Sequence, residues 1–438
     1  MGIHEITLEH ADERDLTQLG EYEAIGGYKP LRKARGMKPE KIVEELMNAN
    51  LRGRGGAGFP MGRKASFLAK GTGKPTYLCV NADESEPGTF KDREIMVKNP
   101  HRLIEGCLIT AHGIESKSVF IYLRGEYLDV FEVLQAALEE VREAGILEDV
   151  TVVVHRGAGA YICGEESALL ESLEGKRGQP RSRPPFPAVS GLYGSPTLIN
   201  NVQTIATVPP IIQHGAEWYA SIGPETSPGT VVFSLSGNIV NPGNYELELG
   251  TPLRQLIYDI GGGIPDGREL KGIIPGGSST TIMTPDLLDT PLDYNSVAEV
   301  GSQFGSAALI VVDDRACMVQ MALRSTQFYM HESCGKCTPC REGTRWMVEI
   351  LRALEEGRAD QAQLDLLVNV ADRILGRCLC ALGDFAAGPV LEYVRAYRDE
   401  FQRHIDEGGC PFGGESSLEG VFAPVEQHHY HPIAEVPS

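Results

Sequence analysis

Lys117 to His155 reads KSVFIYLRGEYLDVFEVLQAALEEVREAGILEDVTVVVH, and this stretch decides the fold class. Its two ends, Lys117 to Leu123 and Val150 to His155, are short β-branched and aromatic runs without polar alternation, the pattern of strands buried on both faces. Between them Tyr127, Phe131, Leu134, Leu138 and Val141 recur at spacings of four and three, which puts them on one helical face, and Gly145 stands where a C-terminal cap is needed. Strand, helix, strand at these lengths predicts a βαβ unit with a parallel sheet, and Thr76 to Asn81 (TYLCVN) reads as a further strand of the same kind. The fold class is α/β.

Downstream the texture changes near Thr230. Thr230 to Ser236 (TVVFSLS), the turn residues Gly237 and Asn241-Pro242-Gly243, and an alternating Tyr245-Glu-Leu-Glu-Leu249 predict half-exposed antiparallel strands. A helical segment, Thr251 to Ile260, and an apolar run, Ala307 to Val312, complete a small mixed domain. After Val312 four amphipathic stretches follow, about Arg315 to His331, Arg341 to Glu355, Gln361 to Leu375 and Pro389 to Ile405, with Pro389 suited to the first turn of the last. Four helices with short loops predict a bundle. The expected division is therefore 1–74, an N-terminal helical and glycine-loop segment; 75–236, the parallel-sheet domain; 237–312, the small mixed domain; and 313–438, the bundle with a tail. The tail histidines His428, His429 and His431 read as a solvated or partner-docking segment.

Sixty acidic against 40 basic side chains give the 438-residue chain a net charge of −20. Phosphate backbones and anionic lipid surfaces are approached with basic patches, so nucleic-acid binding is excluded. No apolar stretch reaches the ~18 residues of a membrane helix. The opening MGIHEITLEHADERD has neither a basic nor an apolar signal region, and a cytoplasmic chain is expected.

Of the ten cysteines, Cys79, Cys107, Cys163 and Cys317 stand alone and read as small buried hydrophobes. Cys334, Cys337, Cys340, Cys378 and Cys380 crowd together, which without an export signal argues metal rather than disulfides. Cys334-Gly-Lys-Cys337-Thr-Pro-Cys340 lets three thiolates reach three corners of one inorganic cluster. No cysteine follows at the ferredoxin-type spacing, so a fourth ligand comes from Cys378 or Cys380, and a [4Fe–4S] cluster is favoured over structural zinc. Lys336 and Arg341 would offset cluster charge or simply be solvated loop charge.

Three loops ask for a ligand. Gly53, Gly55 and Gly58 in LRGRGGAGFP form G-x-G-x-x-G, but the preceding Glu40 to Asn50 looks helical, so the plain dinucleotide fingerprint is weak here. Its backbone can still touch a flat ring or phosphate, with Arg54 and Lys64 as neighbouring cations; an ordinary tight loop is the plain alternative. HRGAGAYICGEE, from His155 to Glu166, follows a strand and opens a helix at Glu165, at the carboxyl edge where parallel sheets place ligands. Asn81-Ala-Asp83-Glu84-Ser85-Glu86-Pro87-Gly88 leaves another strand's carboxyl end, and its carboxylates suit sugar hydroxyls, a divalent ion or helix capping.

Together the runs GRGGAGFP, NADESEPG, GAYICGEESALLESLEG, ESCGKCTPCREG and CALGD closely resemble the NADH- and FMN-binding subunits of bacterial-type NADH:quinone oxidoreductase, respiratory complex I, over about Leu51 to Val394. The resemblance implies a Rossmann-like domain, a β-grasp (ubiquitin-like) domain and a C-terminal four-helix bundle. It implies that Gly53, Arg54 and Gly55 with Lys64 hold FMN from the glycine side, Asn81, Asp83 and Glu84 its ribityl chain or ring, Tyr161, Gly164 and Glu165 the opposite loop, and Asn200, Asn201 and Thr204 its phosphate. Phe59, Phe67 and Phe186 would be the surfaces on which NADH lies, with Lys64, Glu86 and Glu166 near its polar groups. Cys334, Cys337, Cys340 and Cys380 would ligate the [4Fe–4S] cluster, with Cys378 an extra cysteine beside the fourth position.

The implied reaction is hydride transfer from NADH to FMN, with electrons passing singly to the cluster; no side chain need act as acid or base, although Glu166 stands nearby. Electrons would continue into a thioredoxin-like [2Fe–2S] subunit and a larger multi-cluster subunit, in the peripheral arm of an inner-membrane complex. Diaphorase subunits of NAD-linked hydrogenases, formate dehydrogenases and electron-bifurcating enzymes share these motifs and are the alternative. A non-catalytic binding module with structural zinc would leave the three loops unexplained.

Overall fold

The computed structural model describes residues 5–413, so the tail histidines lie outside the described residues. Four short helices open the chain, α1 (Leu19–Ala24), α2 (Lys29–Arg35), α3 (Pro39–Asn48) and α4 (Met61–Ser66). The glycine loop lies between α3 and α4, and the two helices touch so closely that a Cβ on Gly62 would stand 2.4 Å from the Met47 amide nitrogen.

The first sheet contains β1 (Tyr77–Ala82), β2 (Ser118–Leu123), β3 (Thr151–Arg156) and β4 (Thr197–Asn201), all parallel in the order β3-β2-β1-β4. Leu78, Cys79 and Val80 of β1 are buried on both faces, as their unbroken apolar run demands. β3 departs from expectation: it is an edge strand, and Val153 is 39% exposed.

The associated helices are α5 (Lys91–Lys98), α6 (Pro100–Gly113), α7 (Leu128–Glu143), α8 (Glu166–Leu173), α9 (Pro187–Ser190), α10 (Val202–Ala206), α11 (Val208–His214) and α12 (Ala216–Ala220). The expected stripe of α7 is buried at Leu134, Leu138 and Val141, and Gly145 follows in the left-handed region at φ +69°. α6 is buried at every residue but His112 and carries Gly106, where a Cβ would come within 2.1 Å of the Ile205 carbonyl oxygen. That close approach seats α10 and the end of β4.

In the second sheet β5 (Thr230–Gly237), β6 (Gly243–Glu248), β7 (Leu270–Ile274) and β8 (Ala308–Asp313) lie in the order β6-β5-β8-β7; β5 and β6 pair antiparallel as expected, β7 and β8 likewise, and β5 runs parallel to β8. β5 belongs to this sheet, so the sheet begins at Thr230 rather than at the expected boundary of 237. The expected half-exposure holds for most of β6 but not for β5 or for Glu246. β5 is buried from Thr230 to Leu235, and Glu246 on β6, placed outside by its alternation, is 2% exposed. The Glu246 carboxylate accepts from the Thr7 amide (2.9 and 2.8 Å), the Leu8 amide (2.9 Å) and the Thr230 hydroxyl (2.6 Å), which offsets its burial. α13 (Tyr294–Glu299) follows β7.

Five helices complete the described chain: α14 (Met318–Glu332), α15 (Thr338–Glu355), α16 (Gln361–Ile374), α17 (Leu382–Ala396) and α18 (Arg398–Asp406). The expected fourth helix is two, and Pro389 sits inside α17 rather than in its first turn. The apolar stripe extends N-terminally through Leu382 and Ala386, and packing of that stripe overrides the proline's helix-ending tendency. The break comes instead at Tyr397, between α17 and α18. No described helix is long and apolar enough to cross a membrane.

Candidate functional site

The carboxyl ends of β1, β3 and β4 bring the three loops together. Asn81 at the end of β1 donates through Nδ2 to the Gly164 carbonyl (2.8 Å), tying the acidic loop to the one after β3. Its Oδ1 accepts from the Asp83 amide (3.1 Å). Asp83 is half-buried as a residue; Oδ1 accepts from Ser85 (2.6 Å), while Oδ2 is shut from solvent without a partner. Burial pushes its carboxyl up to about 7, against the opposing pull of Ser85 and Arg124.

Glu84 points elsewhere. Its buried carboxylate accepts from the amides of Asp92 (2.8 Å) and Arg93 (2.9 Å), so it caps α5, and its carbonyl accepts from Arg124 Nη1 (2.7 Å). Asn201 caps α10 through the Gln203 amide (3.0 Å) and donates to Asp92 (2.5 Å). Beside it the side-chain nitrogen of Asn200, Nδ2, is buried without a partner.

The glycine loop lies against this end of β4. A Cβ on Gly55 would stand 3.0 Å from the Asn201 Cβ, whereas one on Gly56, at φ +116°, would meet nothing within 4 Å. The Arg54 amide donates to the Thr204 hydroxyl (2.8 Å), and Tyr294 of α13 donates to the Gly53 carbonyl (2.7 Å). The guanidinium of Arg54, expected as a cation beside the loop, is instead buried against Tyr219 Oη (2.9 Å) and the carbonyls of Pro228 (3.0 Å) and Thr230 (3.1 Å). A buried charge needs such acceptors; the seam with the second sheet supplies them to Nε and Nη2, while Nη1 is buried without a partner.

Lys64 on α4 keeps its cation at the site, donating to Glu166 (2.8 Å) and to the Ile199 carbonyl (2.8 Å). Burial alone would raise the Glu166 carboxyl, but Lys64 and then Arg183 hold it below the ordinary carboxylate range. Glu165 caps α8 through the amides of Ser167 (3.0 Å) and Ala168 (2.9 Å) and pairs with Arg183.

Phe59 and Phe67 are 43% and 53% exposed, with ring centroids 6.3 Å apart and the Arg63 guanidinium 5.9 and 6.0 Å from them. Phe186, before α9, is 56% exposed, but among the described residues no ring contact joins it to that pair. The paired Phe59 and Phe67 rings leave aromatic faces on which a flat ligand could stack.

Glu86 is drawn inward: it accepts from the Ser279 amide (2.7 Å), the Tyr161 hydroxyl (2.8 Å) and the Ser278 hydroxyl (3.3 Å). The Tyr161 ring packs edge-on against Phe328 and Tyr329 of α14. Arg63, Arg183, Ser278, Ser279 and Tyr329 carried no local sequence signal, since each is brought in by tertiary structure.

Cys334, Cys337, Cys340, Cys378 and Cys380 line one small space with Ile162, Ser333 and Leu382. Ile162 lies in the turn after Tyr161, so the loop that follows β3 and the cysteines share a wall. Cys337 Sγ accepts from the Leu379 amide (3.2 Å), and Cys340 Sγ lies 3.1 Å from Ser333 Oγ. Cys378 and Cys380 both face this space; burial pushes their thiols up to about 12 and about 11, so without a metal they stay protonated. Lys336 and Arg341 tie loops, donating to the carbonyls of Pro180 (2.7 Å) and Gly335 (2.6 Å).

Comparison with known proteins places these features in a family. Residues 46–210 match the Nuo51 FMN-binding domain, 232–282 the SLBB domain, and 320–404 the NADH-ubiquinone oxidoreductase-F iron-sulfur binding region. The F subunit of the NADH-quinone oxidoreductase of Streptomyces coelicolor is 51% identical over 409 residues, covering 92% of this chain and 91% of that protein. The F subunit of the Mycobacterium tuberculosis NADH-quinone oxidoreductase is 50% identical over 93% of this chain and 95% of its own length. Among solved structures, a chain of an NAD+-reducing [NiFe]-hydrogenase in the H2-reduced state superposes with TM-score 0.82 at 33% identity, over 93% of this chain and 67% of that one.

Proposed function

Since the chain belongs to the family of NADH-quinone oxidoreductase F subunits, we propose that the residues gathered at the sheet edge divide between holding FMN, receiving NADH and ligating a [4Fe–4S] cluster. The chain is an NADH dehydrogenase flavoprotein subunit. When bound, FMN takes a hydride from NADH as two electrons and a [4Fe–4S] cluster takes electrons one at a time.

The observation that carries the reading is a pair of orphaned buried atoms, Asp83 Oδ2 and Asn200 Nδ2, at the edge where all three loops meet. Leaving both unmade costs about 1–3 kcal/mol each, and ribityl hydroxyls and phosphate oxygens supply the missing donor and acceptor. Asn81 and Asp83 hold the ribityl chain. Asn200, with Asn201 and Thr204 fixing the backbone around it, receives the phosphate. Gly53 to Gly55 give their backbone and leave room for the ring, while Arg54 anchors the loop from behind. Lys64 pairs with Glu166 beside the ring, and Tyr161, Gly164 and Glu165 close the opposite side.

Phe59, Phe67 and Phe186 cover the NADH and exclude water from its reacting face. Glu86 serves NADH indirectly by holding Tyr161 and the Ser278–Ser279 turn. Cys334, Cys337, Cys340 and Cys380 ligate the cluster, and the wall they share with Ile162 brings it near the flavin loop. The second sheet is read as a β-grasp domain and the C-terminal helices as a four-helix bundle, α14 to α17, extended by α18. Electrons leave to a thioredoxin-like [2Fe–2S] subunit and a multi-cluster subunit of a peripheral arm, because the described residues contain one iron–sulfur-type cysteine group.

An anaerobic NADH titration of the cofactor-loaded chain tests this. Stoichiometric bleaching of bound flavin is expected; flavin that binds but stays oxidised would refute the NADH assignment.

A further inference from the structure

At the far end of the C-terminal helices four metal-type donors converge that no part of the electron path uses. Cys317, the residue capping α14, Glu355 at the end of α15, His404 on α18 and Cys410 just beyond it each present one ligating atom, and these four atoms lie within 4.8 Å of one another. Cys317 and His404 are fully buried. Cys317 Sγ is 3.7 Å from Cys410 Sγ, 3.3 Å from His404 Nε2 and 3.0 Å from Glu355 Oε1, and His404 Nε2 is 3.2 Å from that oxygen.

Those separations are near, though about 0.1–0.6 Å shorter than, the edges of a tetrahedron around zinc, so the four atoms need only a small outward adjustment to enclose an ion. With Zn–S about 2.3 Å and Zn–N or Zn–O about 2.1 Å, ligand atoms stand about 3.8 Å apart for two sulfurs, about 3.6 Å for sulfur with nitrogen or oxygen, and about 3.4 Å for nitrogen with oxygen. A disulfide would need the two sulfurs at about 2.05 Å.

The hydrogen-bond chemistry points the same way. His404 Nδ1 donates to the Glu400 carbonyl (2.8 Å), which in a neutral imidazole leaves Nε2 with its lone pair facing the Glu355 carboxylate. Nε2 thereby points at Cys317 and Glu355, as a ligating nitrogen would. The Nδ1–carbonyl bond is also the outer contact that commonly orients a metal-bound histidine. Gln320 donates to the other Glu355 oxygen (3.3 Å) and faces Cys410 Sγ (3.9 Å), completing the surround.

We propose that Cys317, Glu355, His404 and Cys410 form a structural zinc site, distinct from the iron–sulfur site. Two thiolates, an imidazole and a carboxylate suit zinc, and four protein ligands leave no open position for chemistry. The two metal sites occupy opposite ends of one helix: Cys340 and Glu355 on α15 are separated by about 22 Å of helix rise. The zinc pins the segment after α18 to the ends of α14 and α15, which the Cys410 amide already reaches through the Glu355 carbonyl (3.2 Å).

The test is metal analysis and zinc-edge X-ray absorption on the full chain carrying its cofactors, purified from zinc-replete medium. About one zinc per chain is expected, coordinated by two sulfurs and two nitrogen or oxygen atoms. Cys410→Ala should lose that zinc and keep the iron, while Cys337→Ala should lose iron and keep the zinc. Zinc absent from the wild-type chain, zinc without sulfur neighbours, zinc that disappears with Cys337→Ala but not Cys410→Ala, or a Cys317–Cys410 disulfide in non-reducing peptide mapping would each overturn the proposal. The absorption spectrum needs no variant, so misfolding of Cys410→Ala does not protect the idea.

Discussion

Replacing Asp83 by Asn should change flavin binding and flavin-free stability in opposite directions. In the flavin-free chain its carboxyl lies at about 7 instead of 3.8, because Oδ2 is buried and unpaired. Ribityl hydroxyls donating to that oxygen favour the charged form, so the value falls on binding and, below pH ~7, a proton must leave. Affinity for flavin should therefore drop about tenfold between about pH 8 and about pH 6, equivalent to about 1.4 kcal/mol.

Asp83→Asn should flatten that profile and weaken binding at about pH 8 by about 1–2 kcal/mol, the difference between a charge-assisted and a neutral hydrogen bond. Stability moves the other way. A carboxyl raised in the folded state contributes fully below its unfolded value, and that contribution is lost as pH rises from about 4 through about 7. Above pH ~7 Asn should stabilise the flavin-free chain by up to about 4 kcal/mol, and by about half that given that Asp83 is only half-buried.

Fluorescence-quenching titrations with FMN, repeated with riboflavin to remove the phosphate's own ionisation, measure the affinity; denaturant midpoints measure the stability. Glu84, whose carboxyl burial also pushes up to about 7, is tested in parallel as Glu84→Gln and should keep the pH slope. An Asp83→Asn chain that binds FMN with unchanged affinity and an unchanged slope would refute the assignment of Asp83 to the flavin.

Three further outcomes are expected. Cys380→Ser should lose the [4Fe–4S] cluster while Cys378→Ser keeps it, read by iron and sulfide content; the reverse would make Cys378 the fourth ligand. Phe67→Ala, removing a half-exposed ring, should raise KM for NADH several-fold with little change in kcat, corresponding to about 1 kcal/mol of stacking; equal loss in kcat would give the ring a role in the transition state. Glu246→Gln should destabilise the chain by about 2–4 kcal/mol in denaturant titration, because two amides and a hydroxyl lose a charged acceptor; a change below about 0.5 kcal/mol would show that the burial is easily relieved.

Local pattern carried the parallel sheet and the placing of two loops, Asn81 to Gly88 and His155 to Glu166, at its edge; the glycine loop reaches that edge only through tertiary structure. Unbroken apolar runs gave β1 and β2, and the four-three spacing gave α7. The pattern failed where a residue's environment is set by distant chain. β3 reads like β1, yet no strand covers its outer side. Glu246 reads as solvent-facing because its partners, Thr7 and Leu8, lie 239 and 238 positions away. Arg54 sits in a glycine loop like a phosphate-binding cation, but Tyr219 and Thr230 take its guanidinium. Cys317 reads as a lone buried thiol because Glu355, His404 and Cys410 reach it only through helix packing. Pro389 misplaced a helix start because its effect is local, whereas the stripe it interrupts is held from both sides.

The buried Glu246 carboxylate also sets an order of events during synthesis. Thr7 leaves the ribosome first, and its acceptor emerges 239 residues later, roughly 12–48 s at ordinary elongation rates. During that interval the N-terminal helices and the first parallel sheet can collapse, and Arg102 can take the Ile6 carbonyl (2.7 Å), but the Thr7 and Leu8 amides still lack their acceptor. Closing so long a loop is entropically slow, so the seam between the sheets should form among the last steps of folding. The segment around Thr7 and Leu8 thus acts as a latch: made long before Glu246, it is among the last parts of the chain to be locked.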